Sequence, residues 1–404
     1  MLNRIKLTNF KCFDFLDLDC TPLNLLCGLN GMGKSSVLQA LLVIQQSLET
    51  GELLQGRLVL GGDRVDLGAG SDVMFEDAED DVVGFELQRA GWVVPWLVTF
   101  AYAPMADQLT IVPNRGSGGA VLIEGPTFEY SSETREFTKA TEDITGVHVT
   151  PVSDDWRRVP PFGGRLVYVN AERIGPRKLY PISEVRARHG DFGSGGEYAW
   201  NFLNHHQDDL LEEDDPRCVE GESRRLRDVV DQWLQEVCPG AHLQLQELAE
   251  ADALLAAFSF DRPGDVATRR YRATNVGFGL SYALPVILAL LSEPGTLCLI
   301  ENPEAHLHPR GQTKLADLAA LAAKAGVQVF AETHSDHFID GVRIAVRNGI
   351  IEPGQTSFHY FERDTGKTVV SSPQIDADGR LSHWPDGFFD QHEENLARLL
   401  APRT

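Results

Sequence analysis

The sequence has no long apolar run. Its longest uncharged, largely apolar stretch is Tyr282–Leu291, ten residues, against the roughly 20 that a helix needs to cross a bilayer. Met1–Asn9 mixes Arg4 and Lys6 with apolar residues and does not read as a signal peptide. Cysteine is sparse, six in 404 residues (Cys12, Cys20, Cys27, Cys218, Cys238, Cys298). None has the paired spacing of a zinc site, and so few in this length read as reduced, mostly buried residues of a cytoplasmic protein. Positive charge is scarce too. With 36 Lys+Arg against 59 Asp+Glu the formal net charge is −23. The average field therefore repels phosphate, which excludes a general nucleic-acid coat but not a local basic groove. What is present is ordinary globular composition, 43% hydrophobic and 24% charged, in a length that allows two or three lobes.

Near-alternating runs at Ile5–Leu7 and Phe13–Leu18 predict strands, and the apolar run Leu23–Cys27 leads into a glycine-rich turn. Val37, Leu38, Leu41, Leu42 and Ile44 then recur with a helical period. From Leu58 to Val169 short β-like stretches follow one another (Val82–Leu87, Trp92–Tyr102, Leu109–Val112, Ala120–Glu124, Leu166–Val169), punctuated by Gly, Pro, Asn and Ser. Residues 191–222 hold ten acids and the single base Arg217, which predicts a solvated loop or a helix edge, with Asp208–Asp215 as its least ordered part. Arg224–Val237 predicts an amphipathic helix. After Asn275 the α/β alternation resumes, with strands at Leu297–Ile300 and Val327–Ala331. Five segments follow: 1–57, the first part of an α/β core; 58–170, a β-rich subdomain; 171–270, an insertion with basic and acidic segments and helices; 271–350, the second part of the core; and 351–404, a short C-terminal domain.

Gly28-Leu29-Asn30-Gly31-Met32-Gly33-Lys34-Ser35 matches G-x-x-x-x-G-K-[ST] between a predicted strand and helix. Asn30, Gly31 and Gly33 let successive backbone N–H groups turn around phosphate oxygens. Lys34 supplies a charge to the β/γ-phosphates, Ser35 a hydroxyl to Mg²⁺, and Ser36 continues the anion-favouring helix start. ATP and Mg²⁺ are the cofactors this predicts. Glu301 ends an apolar strand where a carboxylate would hold Mg²⁺ or its water, and Glu332-Thr333-His334-Ser335 follows the next strand, where ligands of open α/β sheets gather.

These motifs resemble the ABC-type ATPase heads of the SMC, RecF and OLD group, and in particular the small OLD-like ATPases of anti-phage defence loci. Asn9–Phe13, the phosphate loop, Glu301–Pro309 and Glu332–Ser335 carry the resemblance. Asn275–Ser281, with Gly277, Gly279 and Ser281, resembles the signature segment, a glycine turn with a serine opening a helix. Ala171–Arg177 and the tail segments Ser372–Arg380 and Trp384–Asp390 resemble one branch with a short C-terminal domain of unknown function. The implied fold is α/β: a P-loop ABC-type ATPase head with a mixed sheet, a β-rich inserted subdomain and a helical segment. The resemblance implies ATP held between two copies of the chain in a dimer or higher oligomer. It also implies a separately encoded effector such as a nuclease, and His334 as a phosphate sensor. The 64 residues after Asp340 are too few for the nuclease domain of the larger relatives.

One departure matters. The position after Glu301 usually bears the carboxylate that polarises the attacking water, and here it is Asn302. An amide orients water but accepts no proton. Glu304 or Glu332 substitutes, with Glu304 slightly favoured as part of the same loop, or ATP acts as a clamp with slow hydrolysis. A regulatory scaffold and a transporter ATPase subunit are the alternatives, the latter disfavoured by the tail and by the absence of a standard transporter signature. Gln88 and Asp72 are weak candidates for the Mg²⁺-contacting glutamine position. His306 and His308 lack further zinc ligands and read as packing residues. Asp376 and Asp378 read as a β-turn. Residues 156–190 hold eight bases, from Arg157 to Arg188, against Glu172 and Glu184. They face either DNA or the acidic 191–222 segment. No membrane partner is expected.

Overall fold

The structure, a computed structural model, describes residues 1–91, 95–112, 128–131, 136–141, 148–151, 164–262, 267–384, 395 and 398–400. The chain opens with β1 (Leu2–Phe10), β2 (Phe13–Asp19), β3 (Leu23–Gly28) and α1 (Lys34–Glu49). Then come β4 (Arg57–Val59), α2 (Gly70–Val73), β5 (Val82–Arg89), β6 (Trp96–Ala101) and β7 (Gln108–Ile111). A three-stranded antiparallel sheet follows, β8 (Phe128–Ser131), β9 (Glu136–Thr141) and β10 (His148–Pro151). Next are β11 (Leu166–Val169), β12 (Tyr180–Pro181), α3 (Glu184–His189), α4 (Ala199–His206) and α5 (Leu226–Val237). The hairpin β13 (Ala241–Leu248) and β14 (Ala253–Phe260) leads through β15 (Tyr271–Arg272) to α6 (Phe278–Leu290). The last part comprises β16 (Leu297–Glu301), α7 (Pro309–Lys324), β17 (Gln328–Glu332), α8 (Asp336–Arg347), β18 (Thr356–Asp364) and β19 (Lys367–Ser371).

The core is a six-stranded sheet in the order β11-β16-β17-β3-β18-β19, parallel except for β19. β3 and β17 are buried at every residue, as strands covered on both faces must be. Their side chains sort by pleat. Leu25, Cys27, Cys298, Ile300, Val329 and Ala331 join a core with α5, α6, α7 and α8. Leu26, Leu297, Leu299 and Phe330 face α1 and a second sheet. That second sheet is antiparallel, in the order β2-β1-β5-β6-β7-β4.

These sheets cut across the segment boundaries read from sequence. β1 and β2 belong to the antiparallel sheet with the 58–112 strands, not to the parallel core. β11, placed in the β-rich subdomain, pairs with β16 in the core sheet. β18, placed in a separate C-terminal domain, lies parallel to β3. The reason is non-local pairing, which strand pattern alone does not encode. β18 also explains the first glycine of the phosphate loop: Gly28 has φ +132, and a β-carbon there would lie 2.3 Å from the Phe361 carbonyl oxygen.

The acidic segment is solvated as read, with Asp208, Asp209 and Glu212–Asp214 exposed, but it is anchored at its end. Asp215 pairs bidentately with the buried Arg217, which also donates to the Leu290 and Ser292 carbonyls at the end of α6. Asp208–Asp215 therefore follows an anchored course, because one arginine inside the acidic run supplies both a counter-charge and a helix C-cap. Trp92, Ala120–Glu124, Arg157, Arg158 and Pro385–Asp390 lie outside the described residues. Among the described residues, no helix is long and apolar enough to cross a membrane.

Candidate nucleotide-binding site

The parallel strands end along one edge, and their ends gather the residues singled out by the motifs. β3 turns at Gly28 into a loop with Gly31 at φ +76 and Gly33 at φ +95. Leu29, Asn30 and Gly31 are exposed. Gly33 precedes α1 without any side-chain cap, so the first N–H groups of the helix are presented to an anion. The Lys34 side chain is 3% exposed and donates to the Gly28 and Leu29 carbonyls at 2.9 and 2.7 Å. Burial lowers its pKa, with Glu332 pulling the other way. Cys12 and Phe13, in the β1–β2 turn, press on Gly33, where a β-carbon would come within 2.4 Å of the Cys12 sulfur. Ser36 is the partner of the Cys12 thiol at 3.8 Å.

Glu332 and Glu301 are cross-strand neighbours with different surroundings. Glu301 is half-buried, and its Oε1 and Oε2 accept from the Tyr168 hydroxyl at 3.0 Å and the Ala171 N–H at 3.1 Å. Glu332 is buried, 4.0 Å from the Lys34 ammonium and 3.9 Å from His334 Nε2. Its Oε2 has no hydrogen-bond partner among the described residues. Burial pushes its carboxyl up from 4.5 to about 7, while the Ser35 hydroxyl and Lys34 pull it down. Glu304 is raised by burial as well. Both its oxygens are occupied, by the Thr333 hydroxyl at 2.9 Å and the His334 N–H at 2.8 Å. It thus ties the loop after β16 to the loop after β17. The His334 side chain is exposed at the mouth of the site, and its pKa is lowered by desolvation and by Lys34.

Asn302 sits at φ +44, the left-handed region that Asn tolerates better than most residues. Its N–H donates to the Glu332 carbonyl at 2.8 Å, and its carbonyl accepts from Arg173 at 2.8 Å. Arg173 also donates to the Glu301 carbonyl.

The signature segment lies on the same edge but not beside Lys34: β17 and β16 separate the ends of β3 and β11, at roughly 4.8 Å per strand. Gly277 and Phe278 are exposed where α6 begins. Gly279 packs on the loop after β16, where a β-carbon would come within 2.8 Å of the His306 carbonyl oxygen. Ser281 does not open the helix. It is its fourth residue, 1% exposed, with its hydroxyl towards Tyr180. Gln88 lies at the far end of β5, away from this edge, and Asp72 caps α2 through the Ala69 N–H. His306 packs on Phe278 and Tyr282, and His308 caps α7. Asp376 accepts from the Asp378 and Arg380 N–H groups in a tight turn.

Tyr168 and Thr333 were not assigned roles from sequence, although Thr333 lay inside the Glu332–Ser335 motif. Arg173 was read only as one of the bases of 156–190 and as part of the Ala171–Arg177 resemblance. Tyr168 reads as a core aromatic until β11 is known to lie beside β16.

Three family models match the chain. The one described as "AAA domain, putative AbiEii toxin, Type IV TA system" matches residues 131–340, more than half the sequence. "AAA ATPase domain" matches residues 1–84 and "Protein of unknown function (DUF3696)" residues 351–399. No curated protein matches the sequence. Among solved structures, an Smc head bound to the C-winged helix domain of ScpA is similar at 11% identity. The match covers 93% of this chain and 98% of that one, with a TM-score of 0.50. An Smc head from Pyrococcus furiosus with an extended coiled coil is similar at 12% identity, covering 99% of both chains, with a TM-score of 0.48. The Thermotoga maritima SMC head is 12% identical over 93% of this chain and 99% of that one, with a TM-score of 0.43. At such identity the ScpA-bound head speaks for the fold: a mixed α/β ATPase head.

Proposed function

The chain belongs to the AAA-domain family matched over residues 131–340, and from that membership we propose an ATP-hydrolysing switch in which two copies close around ATP. The closed state controls a separately encoded effector, such as a nuclease, in anti-phage defence. The matched family's description, which names a putative toxin of a type IV toxin–antitoxin system, supports a place in such a two-component system; the separate effector is what the resemblance implies. The observation that carries the enzymatic reading is the convergence of Lys34, Glu301 and Glu332 at adjacent strand ends.

The uncapped start of α1 and the Lys34 ammonium bind the β/γ-phosphates. The chain fits Mg²⁺. Ser35 offers a hydroxyl at the helix start, and Glu301 is a carboxylate aimed by two donors, Tyr168 and Ala171, with lone pairs to spare. The ion would offset charge on the phosphates. Glu332 is the general base. Its Oε2 is unpaired and its pKa lies near the working range, whereas both oxygens of Glu304 are engaged. Glu304 is therefore a positioning residue, which reverses the order of preference drawn from sequence. Asn302 orients water without taking its proton.

Nucleotide binding and single-turnover hydrolysis test this. Lys34→Ala loses ATP binding. Glu332→Gln keeps it and loses about 10²–10⁴-fold in rate, the worth of a positioned base. Rapid turnover that survives Gln at both Glu332 and Glu304 leaves the reading without a base. If neither matters and Asn302→Glu raises turnover, the site is a clamp.

A further inference from the structure

The turn after β11 touches two parts of the site at once. Its Ala171 N–H holds the Glu301 carboxylate at 3.1 Å. Arg173 holds the Glu301 and Asn302 carbonyls with Nη2. On its other side the guanidinium carbon lies 5.6 Å over the Tyr282 ring of α6. Gly175 packs on Phe278, where a β-carbon would come within 3.0 Å of the ring. Phe278 and Tyr282 are one helical turn apart, so they share a face of α6. His306 closes the cluster, 4.6 Å from Tyr282 and 5.3 Å from Phe278.

Arg173 is 3% exposed, and its Nε and Nη1 have no hydrogen-bond partner among the described residues. Asn302 Oδ1 is buried in the same state. A residue that only filled space here would be apolar, because unmet buried donors cost about 1–3 kcal/mol each. The unmet groups instead give Arg173 and Asn302 a second pairing that requires no further desolvation.

We propose that Arg173 is a positioning residue that couples the start of α6 to the acid-bearing end of β16 within one protomer, with Tyr282 as its contact on the helix. Engagement of the Gly277–Gly279 turn then shifts the Glu301–Asn302 peptide through a rigid side chain. This rests on the ATPase reading above and adds to it a route by which the signature helix governs the chemical step. The planar guanidinium is required for the contact with α6: an ammonium could reach both carbonyls from one nitrogen, as Nη2 does, but has no plane to lay against the Tyr282 ring.

Arg173→Lys and Tyr282→Leu should each slow single-turnover hydrolysis by about 10–10²-fold, as small misplacements near reacting groups do. The ATP Kd should stay within about twofold, because Lys34 lies two strands away, and Tyr282→Phe should keep the wild-type rate. The double variant should be no slower than either single one, the mark of one shared path. Unchanged rates overturn the proposal. So does a fall in rate, affinity and Tm together, which marks mere structural support. If the wild type hydrolyses nothing, the ATPase reading fails by itself. The coupling is then read by hydrogen exchange: nucleotide-dependent protection of residues 277–282, present in the wild type and lost in Arg173→Lys. Equal protection in both overturns it.

Discussion

A carboxylate buried beside a lysine is pulled in two directions, up by desolvation and down by the ammonium, and at Glu332 burial wins. Its folded pKa is raised from 4.5 to about 7, so the folded site binds its proton more tightly than the unfolded chain does. The stability this provides is full below about pH 4.5 and is lost as pH rises through about 7. Activity runs the other way, since a base must be ionised. Between pH 6 and 8 the wild-type Tm should therefore fall while kcat/KM for ATP rises, and Glu332→Gln should flatten both curves. An ascending limb that persists in Glu332→Gln assigns the base elsewhere. Asn302 is constrained from a different side. At φ +44 a Glu meets backbone strain of about 1–2 kcal/mol that Asn largely escapes, so restoring an acid there has a conformational cost.

At the scale of elements, the phosphate loop was legible because strand, glycine turn, lysine and helix are contiguous in sequence. The Glu301 and Glu332 strand ends were legible for the same reason: an apolar run that stops at an acid is a local pattern. Arg173 was not, because its partners lie more than a hundred residues away and become neighbours only when β11 pairs with β16. Nor was the place of β18, whose apolar residues fit a small separate domain as well as a core strand. The start of α6 offers a clean test of the two-copy arrangement. Gly277 has φ −57 and open space at its β-position, so Gly277→Asp folds and even gains an N-cap. Its carboxylate repels the phosphates of a facing copy. Gly277→Asp and Lys34→Ala should each be inactive alone. An equal mixture should recover about a quarter of wild-type turnover, since half the dimers are mixed and hold one intact site each. No recovery at any ratio argues against a shared site.

Over the whole molecule, a net charge of −23 makes the location of unpaired positive charge informative. Part of the 156–190 excess is already used. Arg173 is buried, Arg186 pairs with Asp191, and Arg188 pairs with Glu184. Arg225 and Arg227 lie against Asp208. Of the two readings left open for that segment, the match to acidic residues holds for Arg186 and, from the neighbouring cluster, for Arg225 and Arg227. One group of the remaining bases lies along β14, whose second edge pairs with both β12 and β15: Tyr180 opposes Leu254 and Arg272 opposes Ala257. That brings exposed Arg177 and Lys178 towards exposed Arg269, Arg270 and Arg272, none of them in an ion pair among the described residues. If DNA binds, this edge carries it. Affinity should then fall steeply with salt, with log K dropping about 0.9 per log unit of salt for each phosphate neutralised. Reversing the charge of Arg177, Lys178, Arg270 and Arg272 together should make that slope shallower by roughly 3 while leaving ATP affinity unchanged. The measurement is fluorescence anisotropy of a labelled duplex across salt, for both proteins. A salt-independent signal, or equal slopes, removes phosphate contact from this edge.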